Sequence, residues 1–363
     1  MKTVVFRPTN SCNLRCEYCY DKNNRNEDES AIRKNATELF KREEEQLLRS
    51  LSILYKDEKK PRIIFHGGEP LLISPEALNS FCTKLSDIAN VKYSIQTNGT
   101  LITDEVIDLF KEHNFSVGIS LDGCNEKQNK ARVYPNGKNS FSTVMRNIEK
   151  LQDREVKFGV IMSITNAHKN SEQQLYNFIG NNNISCNIRP VFASSPEELS
   201  KVMTPEEYAE FFSKLFDIWY DDQDKKVGTT QILEAYQALR RELDPDFIER
   251  TCSLSDRCFR DFISLDVLSN LYACNRLYGI DKFYYGNLKT DSIETIYEKI
   301  DQLLAERNKA IGEACSDCET LSKCHGGCPA ESYDLYGDIC HPTNDCKVKK
   351  LVSAHVKGRL KWH

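Results

Sequence analysis

The sequence has no long apolar run. Only Val4, Val5 and Phe6 precede Arg7 and Pro8 at its start, which is too little for the apolar region of a signal peptide. No segment has the length and apolarity of a membrane span. Blocks of basic residues are also missing and the net charge is −5, which argues against nucleic acid as a partner. We therefore expect a cytoplasmic protein with neither a membrane nor a nucleic-acid partner.

Internal repeats, low-complexity tracts and histidine clusters are missing as well. The seven histidines are scattered and predict no metal site of their own. His66 stands out because it ends a predicted strand, where a structural histidine or a substrate contact is expected. With 40% hydrophobic and 28% charged residues, the composition is that of a globular protein with one large domain and a smaller one.

Cysteine, in contrast, is abundant and clustered. The chain has 15 cysteines, and in a reducing compartment their expected role is metal ligation rather than disulfide formation. Cys12, Cys16 and Cys19 follow the first apolar run closely. Three such thiolates suit an Fe–S cluster, and three ligands for four irons leave one iron open. A zinc knuckle is the alternative, but it would need a fourth Cys or His nearby.

Short β-rich runs alternate with helical stretches over the first 200 residues. The predicted strands cover 3–7, 62–65, 92–95, 116–119, 157–162 and 186–191. The predicted helices lie near 36–55, 75–89, 103–113, 141–153 and 170–182, and the polar residues 21–34 predict an exposed loop. Each helix is long enough for a right-handed crossover. The pattern therefore predicts an α/β fold with a parallel sheet, either curled or open.

The motifs of this region follow the predicted strands. Cys12 comes after the first strand, and the segments 67–70, 96–99 and 120–123 come after the second, third and fourth. The carboxyl ends of parallel strands meet at one edge of a sheet, and active sites of barrels are built at that edge. We therefore expect these motifs to form one site.

The arrangement Cys12-x3-Cys16-x2-Cys19, with the aromatic Tyr18 just before the last cysteine, resembles the signature of radical S-adenosylmethionine (radical SAM) enzymes. The resemblance implies a partial (β/α)6 barrel and a [4Fe–4S] cluster whose open iron holds S-adenosylmethionine. An electron from the cluster would cleave this cofactor to a 5′-deoxyadenosyl radical that abstracts hydrogen from the substrate. The three cysteines are thus expected as catalytic residues and as metal ligands, with flavodoxin or ferredoxin as electron donor.

The same resemblance implies residues that bind the cofactor. Gly68 and Glu69, in a Gly-Gly-Glu segment, are expected at the methionine amino group, because glycine lets backbone approach a ligand. A simple turn before a helix is the alternative. The other expected contacts to the ribose, the methionine and its carboxylate are Tyr18, Asn98, Ser120 and Arg132, with Arg189 as a second candidate for the arginine.

The C-terminal cysteines resemble a SPASM domain, an appendage with two auxiliary [4Fe–4S] clusters, which would bring the total to three. By this resemblance the inner auxiliary cluster is held by Cys252, Cys258, Cys274 and Cys328. The outer one is held by Cys315, Cys318, Cys324 and Cys346, with Cys340 as an alternative to Cys346. A structural zinc ribbon is the competing interpretation, although eight cysteines exceed what one zinc ion needs.

The expected domains are a radical SAM barrel over 1–200, a helical bridge over 201–250, a SPASM domain over 251–346 and a C-terminal helix over 347–363. Thr204-Pro205-Glu206-Glu207 is a capping box, and an aromatic stripe after it predicts an amphipathic helix whose stripe faces the core. A second helix is predicted over about 230–249.

The length and cysteine layout resemble anaerobic sulfatase-maturating enzymes, which oxidise a Cys or Ser of a protein to formylglycine. Those enzymes place an aspartate, proposed as the base, directly after the cysteine that matches Cys274. Here Asn275 takes that position, and an amide accepts no proton at neutral pH. Asn275, Asp281 and Tyr278 are nevertheless retained as candidate catalytic residues.

Other SPASM enzymes cross-link side chains of ribosomally made precursor peptides, and this reaction is our favoured expectation, with formylglycine formation second. Either reading predicts a peptide or protein substrate. The cluster motif begins at residue 12, so we expect any leader peptide to dock on the barrel, the bridge or a separate protein. An iron–sulfur electron-transfer protein without radical chemistry is the third alternative.

Overall fold

The computed structural model describes residues 2–21, 29–192, 196–224, 226–228, 231 and 252–360. The strands are β1 Thr3–Arg7, β2 Arg62–Phe65, β3 Lys92–Thr97, β4 Ser116–Ser120, β5 Phe158–Ile164, β6 Ser185–Pro190, β7 Phe262–Asp266, β8 Asn270–Tyr272 and β9 Tyr284–Asn287. The helices are α1 Glu29–Tyr55, α2 Pro75–Ile88, α3 Asp104–Glu112, α4 Phe141–Asp153, α5 Glu172–Asn181, α6 Pro205–Asp221, α7 Cys258–Asp261, α8 Ile293–Ala314, α9 Leu321–Cys324, α10 Pro329–Tyr336 and α11 Asp345–Leu360.

The chain divides into two compact units that interleave along the sequence. The first contains 1–119, 132–157 and 256–306, and the second contains 120–131, 158–255 and 307–363. The predicted boundaries at 200 and 250 therefore do not coincide with the boundaries of these units. The helix expected over 230–249 lies outside the described residues, apart from Gln231.

The first unit is built on a mostly parallel sheet. β1 pairs with β2, β2 with β3 and β3 with β4, all in parallel, as the alternation of strands and helices predicted. On its other edge β1 pairs in parallel with β7, and β8 and β9 extend that side in antiparallel fashion. The sequence pattern did not predict these last three strands. They matter because they join a segment from the cysteine-rich part of the chain to the first strand.

An aromatic cluster fills the space between this sheet and its first two helices. Phe6 of β1 and Phe65 of β2 meet at 5.6 Å between ring centroids, and Phe81 of α2 stacks on Phe6 at 5.7 Å. Phe40 of α1 closes the group at 5.2 Å from Phe81. All four are fully buried. Rings at these separations add attraction beyond the burial of their area, so the cluster fixes the two helices on the sheet.

Helix α1 begins earlier than predicted. The polar residues before 36 were expected as a loop, but the helix already starts at Glu29. Ile32 is buried and anchors this first turn. Charged residues on the solvent side of a helix carry no penalty, and Arg33 lies one turn from Glu29 at 4.0 Å. The polar composition before residue 36 led to the prediction of a loop, because this part of the helix buries only a narrow apolar face.

The second unit contains the parallel pair β5 and β6 and the helical pair α6 and α11. Thr204 caps α6 as predicted, because its hydroxyl accepts from the Glu207 amide and the Glu207 carboxylate accepts from the Thr204 amide. The predicted aromatic stripe is buried, which confirms its core role. Among the described residues, no helix is long and apolar enough to cross a membrane.

The aromatic cluster gives a test of the fold. Phe81→Ala should lower the free energy of unfolding by about 3–5 kcal/mol, because it removes a buried ring and leaves a cavity. The control is Ile53→Ala on α1, whose side chain is 45% exposed and should lose less than about 1 kcal/mol. Urea unfolding of both variants measures the difference, and equal losses would contradict the assigned core.

Candidate radical SAM site

The three N-terminal cysteines lie on a loop with a defined backbone. The amide of Leu14 donates to Cys12 Sγ at 3.4 Å, and the amide of Cys19 donates to the Cys16 carbonyl at 3.2 Å. Arg15 anchors the loop, since its amide donates to the Val133 carbonyl and its guanidinium to the Cys12 carbonyl, both at 2.7 Å. The loop is therefore held by hydrogen bonds within it and by one to the Val133 carbonyl.

The chemistry of the donor set, three thiols on one loop, is that of an Fe–S cluster. Burial, helped by the nearby carboxylate of Glu69, raises the pKa of the Cys12 thiol to about 12. A free thiol of this kind stays protonated at neutral pH, and a bound metal is what converts it to a thiolate ligand. In the part of the chain that the structure describes, no three His, Cys, Asp or Glu side chains are grouped closely enough for a single metal ion.

A glycine pair lies directly against this loop. Gly68 donates to the Thr9 carbonyl at 3.0 Å, and Glu69 donates to the Ser11 carbonyl at 2.8 Å. A Cβ on Gly68 would lie 2.0 Å from the Ser11 carbonyl oxygen, and Gly67 has a φ of +100°. No other residue type fits this close approach. The Gly-Gly-Glu segment therefore pairs with the approach to the cysteine loop, and Glu69 also caps the short helix Pro70–Leu72 that follows.

Glu69 is a buried carboxylate with three hydrogen bonds. Its Oε1 accepts from the Leu71 amide at 3.0 Å and from the Thr97 hydroxyl at 2.7 Å, and its Oε2 accepts from the Asn98 amide at 2.7 Å. Burial raises its pKa, while these hydrogen bonds act in the opposite direction. The Glu69 carboxylate connects the end of β2 to the end of β3. The predicted motifs 67–70 and 96–99 therefore meet at this carboxylate.

Asn98 connects that carboxylate to the cysteine loop. Its Nδ2 donates to Asn13 Oδ1 at 2.8 Å and lies 3.8 Å from Cys12 Sγ. Its Oδ1 accepts from the amide and the hydroxyl of Thr100, at 2.9 and 2.6 Å. The structure thus brings Cys12, Glu69 and Asn98 into one network, as expected from their positions at the strand ends.

Two further candidates are joined in the first unit. The Arg132 guanidinium donates to the Tyr18 hydroxyl at 2.8 Å, and Arg132 is buried. The other candidates, Ser120 and Arg189, belong to the second unit, where Arg189 is exposed. Near Ser120, Asp122 has a structural role, because its Oδ1 accepts from the Ser163 amide at 2.9 Å.

A second polar cluster surrounds Asn275, and Arg7 is its centre. The Arg7 side chain is fully buried at the end of β1. Its Nη1 donates to Asn275 Oδ1 at 2.7 Å, its Nη2 contacts the carboxylate of Asp21, and its Nε donates to Asn10 Oδ1 at 3.0 Å. The guanidinium also lies 4.1 Å from the centroid of the Tyr278 ring.

These contacts fix the Asn275 amide. With Oδ1 facing Arg7, Nδ2 donates to the Tyr20 hydroxyl at 2.5 Å and lies 3.3 Å from His66 Nδ1. Burial, with the Arg7 charge acting in the same direction, lowers the pKa of His66 to about 4, so this imidazole is neutral at neutral pH. Its Nδ1 accepts from the Gly67 amide at 2.9 Å. Position 275 therefore presents hydrogen-bond donors where a carboxylate would accept.

Part of this cluster was not predicted from the sequence. Asn275, Tyr278 and His66 were expected at a site, but Arg7 and Asp21 were not. The available signal was a charged residue at the end of an apolar strand, since a buried charge requires partners. Asp281, named as a candidate proton acceptor, is exposed at the start of the single turn Asp281–Phe283. The Tyr278 hydroxyl donates to Asp266 at 2.9 Å, which gives it a structural partner.

The outer set of C-terminal cysteines lies within the second unit. Burial raises the pKa of Cys346 and the positive charge of Lys350 lowers it, while the smaller effects of the neighbouring Cys324, Cys318 and Cys315, as thiolates, raise it. Of the inner set, Cys258 and Cys274 belong to the first unit and Cys252 and Cys328 to the second. Cys340 is half-buried, and its amide donates to Asp338 Oδ1 at 2.7 Å.

The glycine approach predicts a selective loss of function. Gly68→Ala should displace the Ser11 carbonyl and, with it, the adjoining cysteine loop. Binding of S-adenosylmethionine should weaken by at least about ten-fold, because the side of the loop that faces the cofactor moves. The control is Gly312→Ala on α8, where an added Cβ meets nothing within 4 Å. Equilibrium binding to the anaerobically reconstituted protein measures both. Unchanged affinity in Gly68→Ala would separate this segment from the cofactor.

Comparison with known proteins agrees with the geometry. Residues 6–179 match the Radical SAM superfamily. The cysteine-type anaerobic sulfatase-maturating enzyme of Clostridium novyi (strain NT) is 26% identical over 344 residues, which cover 90% of this chain and 87% of that protein.

Two solved structures share the fold. The structure of native anSMEcpe with bound AdoMet superposes with a TM-score of 0.76 at 21% identity, over 99% of this chain and 98% of that chain. Streptococcus suis SuiB bound to the precursor peptide SuiA gives 0.62 at 16% identity, over 95% and 75%. Since the Radical SAM superfamily carries a [4Fe–4S] cluster and S-adenosylmethionine, the residues assembled here lie in the expected part of the chain, and residues 6–179 form a radical SAM domain.

Proposed function

We propose that this enzyme oxidises a Cys or Ser side chain of a protein substrate to formylglycine. This is the reaction that the resemblance to anaerobic sulfatase-maturating enzymes implies. One observation supports this most strongly: the 26% identity to a cysteine-type sulfatase-maturating enzyme extends over 90% of the chain. The similarity therefore includes the cysteine-rich C-terminal part. Cross-linking was the favoured expectation from the sequence, but the relatives fit formylglycine formation better.

The bound cluster and S-adenosylmethionine supply the radical that removes a hydrogen atom from the substrate. The protein holds them through the three cysteines of the N-terminal loop, and its remaining residues bind and orient. In this proposal Gly68 and Glu69 face the methionine amino group, and Asn98 orients the ribose side. Arg132, held by Tyr18, and Ser120 serve the carboxylate. The inner and outer cysteine sets hold the two auxiliary clusters.

The oxidation of a cysteine side chain has a definite balance. The Cβ loses one hydrogen atom, the thiol loses a proton, and one electron leaves, which gives a C=S bond. Water then adds to this C=S carbon, hydrogen sulfide departs, and the aldehyde remains on the substrate. An auxiliary cluster held by the C-terminal cysteines would accept that electron, and a flavodoxin or ferredoxin would supply the one that starts each cycle. The thiol proton needs an acceptor, which an amide at position 275 does not provide.

The Arg7 cluster offers that acceptor. Arg7 contacts Asp21 and Asn275 through its two terminal nitrogens, so the Asp21 carboxylate lies on the same guanidinium as the amide. We infer that Asp21 takes the role that an aspartate at position 275 has in the relatives. The Tyr20 hydroxyl accepts from Asn275, so its own O–H can donate a hydrogen bond to the substrate.

The direct test uses the anaerobically reconstituted enzyme with a sulfatase-derived peptide that carries the target Cys or Ser. Mass spectrometry and an aldehyde-reactive probe follow the product. A serine peptide should lose two hydrogens, a cysteine peptide should lose two hydrogens and exchange its sulfur for oxygen, and both products should react with the probe. Absence of any aldehyde with either peptide, while S-adenosylmethionine is still cleaved, would reject formylglycine formation.

Cross-linking of a ribosomally made peptide remains the second candidate, and Asn275 is the observation that favours it. A site that presents donors at this position suits a carbon–carbon cross-link, rather than a thioether one, because its formation deprotonates no thiol. The same mass spectrum distinguishes the two reactions, because a cross-link removes two hydrogens and leaves no aldehyde. Fragmentation then locates the two joined residues.

Loss of one cluster ligand should abolish the radical chemistry. Cys16→Ala should release no 5′-deoxyadenosine from S-adenosylmethionine under reductant, because the cluster loses a ligand. The matched control is Cys82→Ala, which removes a thiol that is fully buried in α2 and should leave the release per bound cluster unchanged. Release by Cys16→Ala at the wild-type rate would mean that the cluster is assigned to the wrong cysteines.

The proton acceptor is tested by exchanging the two side chains on Arg7. Asp21→Asn should lower kcat for aldehyde formation by about 100-fold or more, as expected for loss of a general base. The double variant Asp21→Asn with Asn275→Asp should recover part of that rate, because it returns one carboxylate to the same arginine. Iron content controls for damage to the nearby loop. Full activity of Asp21→Asn would exclude this carboxylate.

A further inference from the structure

Arg307 is a buried cation that binds four backbone carbonyls in the second unit. The residue is 4% exposed. Its Nη1 donates to the carbonyls of Ile339 and His341, the latter at 2.8 Å. Its Nη2 donates to the carbonyls of Gly326 and Gly327, at 3.0 and 3.2 Å. The planar fork of a guanidinium can bind two partners on each side, which an ammonium cannot do.

The two segments that Arg307 joins carry proposed cluster ligands. Gly326 and Gly327 lie between Cys324 and Cys328, whereas the other segment leads toward Cys346. Their carbonyls converge on one side chain. Arg307 therefore sets the spacing between ligand segments that are separated in sequence and share no strand or helix.

The glycine segment is shaped for this contact. Both glycines have positive φ, +76° and +80°, and His325 before them has a φ of 49°. A Cβ on Gly326 would lie 2.6 Å from Ile311 and one on Gly327 would lie 2.5 Å from the Thr343 hydroxyl. Ile311 is one helical turn beyond Arg307 on α8. The segment thus packs on the same helix face that carries the arginine.

The charge of Arg307 also reaches the outer cysteine set. The guanidinium donates at 3.0 Å to the carbonyl of Gly326, two residues after Cys324, so its charge lies close to that ligand segment. A cation near thiolates favours their negative form. The same charge would favour the reduced, more negative state of an Fe–S cluster held by those thiolates.

We propose that Arg307 is a positioning residue for the outer auxiliary cluster. It holds the two ligand segments in register, and its charge makes the reduction potential of that cluster more positive. This inference rests on the proposed function, because it requires an auxiliary cluster on Cys315, Cys318, Cys324 and Cys346. In the proposed reaction, a cluster that is easier to reduce is a better acceptor for the electron that leaves the substrate.

The experiment isolates the auxiliary clusters first. A background variant with Cys12, Cys16 and Cys19 all changed to Ala should hold about eight irons per chain after reconstitution, four for each auxiliary cluster. If it holds none, the auxiliary clusters themselves are absent and the proposed function is at fault. If it holds about eight, EPR-monitored redox titration gives the potentials against which Arg307 is judged.

Two substitutions in this background separate geometry from charge. Arg307→Gln removes the charge and keeps a short donor, and it should favour the oxidised state of one cluster by about ten-fold, which is about 59 mV for one electron. Arg307→Lys keeps the charge and loses the fork. It should hold the potential near the original value, but bind less iron or give a broadened EPR signal.

The control is Arg154→Gln, a surface arginine paired with Asp108 in the first unit and distant in sequence from every proposed cluster ligand, which should change neither quantity. Unchanged potentials and iron content in Arg307→Gln would overturn the proposal. An equal shift of potential in Arg307→Lys and Arg307→Gln would overturn the role of the charge. Should Arg307→Gln fail to fold, retention of full iron with a sharp EPR signal in Arg307→Lys would overturn the role of the fork.

Discussion

The pairing of β1 with β2 and its continuation beyond the strands is the constraint on which the site depends. Phe6 opposes Phe65 in the register, and the next contacts are backbone hydrogen bonds from Gly68 to Thr9 and from Glu69 to Ser11. Two loops are thereby joined like two strands. Because the partner atoms are backbone, the approach depends on the absence of a Cβ at Gly68 rather than on any side-chain contact.

Two buried charges then organise the two halves of the site in different ways. Glu69 uses its oxygens to tie β2 to β3 and reaches Cys12 through Asn98. Arg7 uses its nitrogens to gather Asn275 and Asp21 around the end of β1. A buried charge is stable only when its hydrogen bonds are satisfied, so both residues impose a fixed geometry on their neighbours. In the proposed reaction, the Glu69 half would face the cofactor and the Arg7 half the substrate side chain.

Much of this could be predicted from sequence, for identifiable reasons. The parallel sheet, the position of Cys12 after β1 and the meeting of Glu69 with Asn98 follow from alternation and from strand polarity, which are local properties of the chain. The pairing of β7 with β1 and the contact of Arg7 with Asn275 were not predictable in this way. They join residues at opposite ends of the sequence, and no periodic pattern reports such contacts. Asp281 was named for its charge and proximity in sequence to Asn275, but a carboxylate that can stay in water has no reason to enter the cluster.

The placement of β1 between β2 and β7 has a consequence for how the protein is made. One edge of β1 is covered by a strand about 60 residues away, and the other by a strand about 260 residues away. Contacts between such distant residues form slowly, because a long loop must close first. During synthesis β1 therefore has an open edge until most of the chain has left the ribosome, and open edges invite wrong pairing. The Arg7 cluster is completed only with that last pairing, so a truncated or unfinished chain contains the cysteine loop but leaves the Arg7 side chain without its partner Asn275.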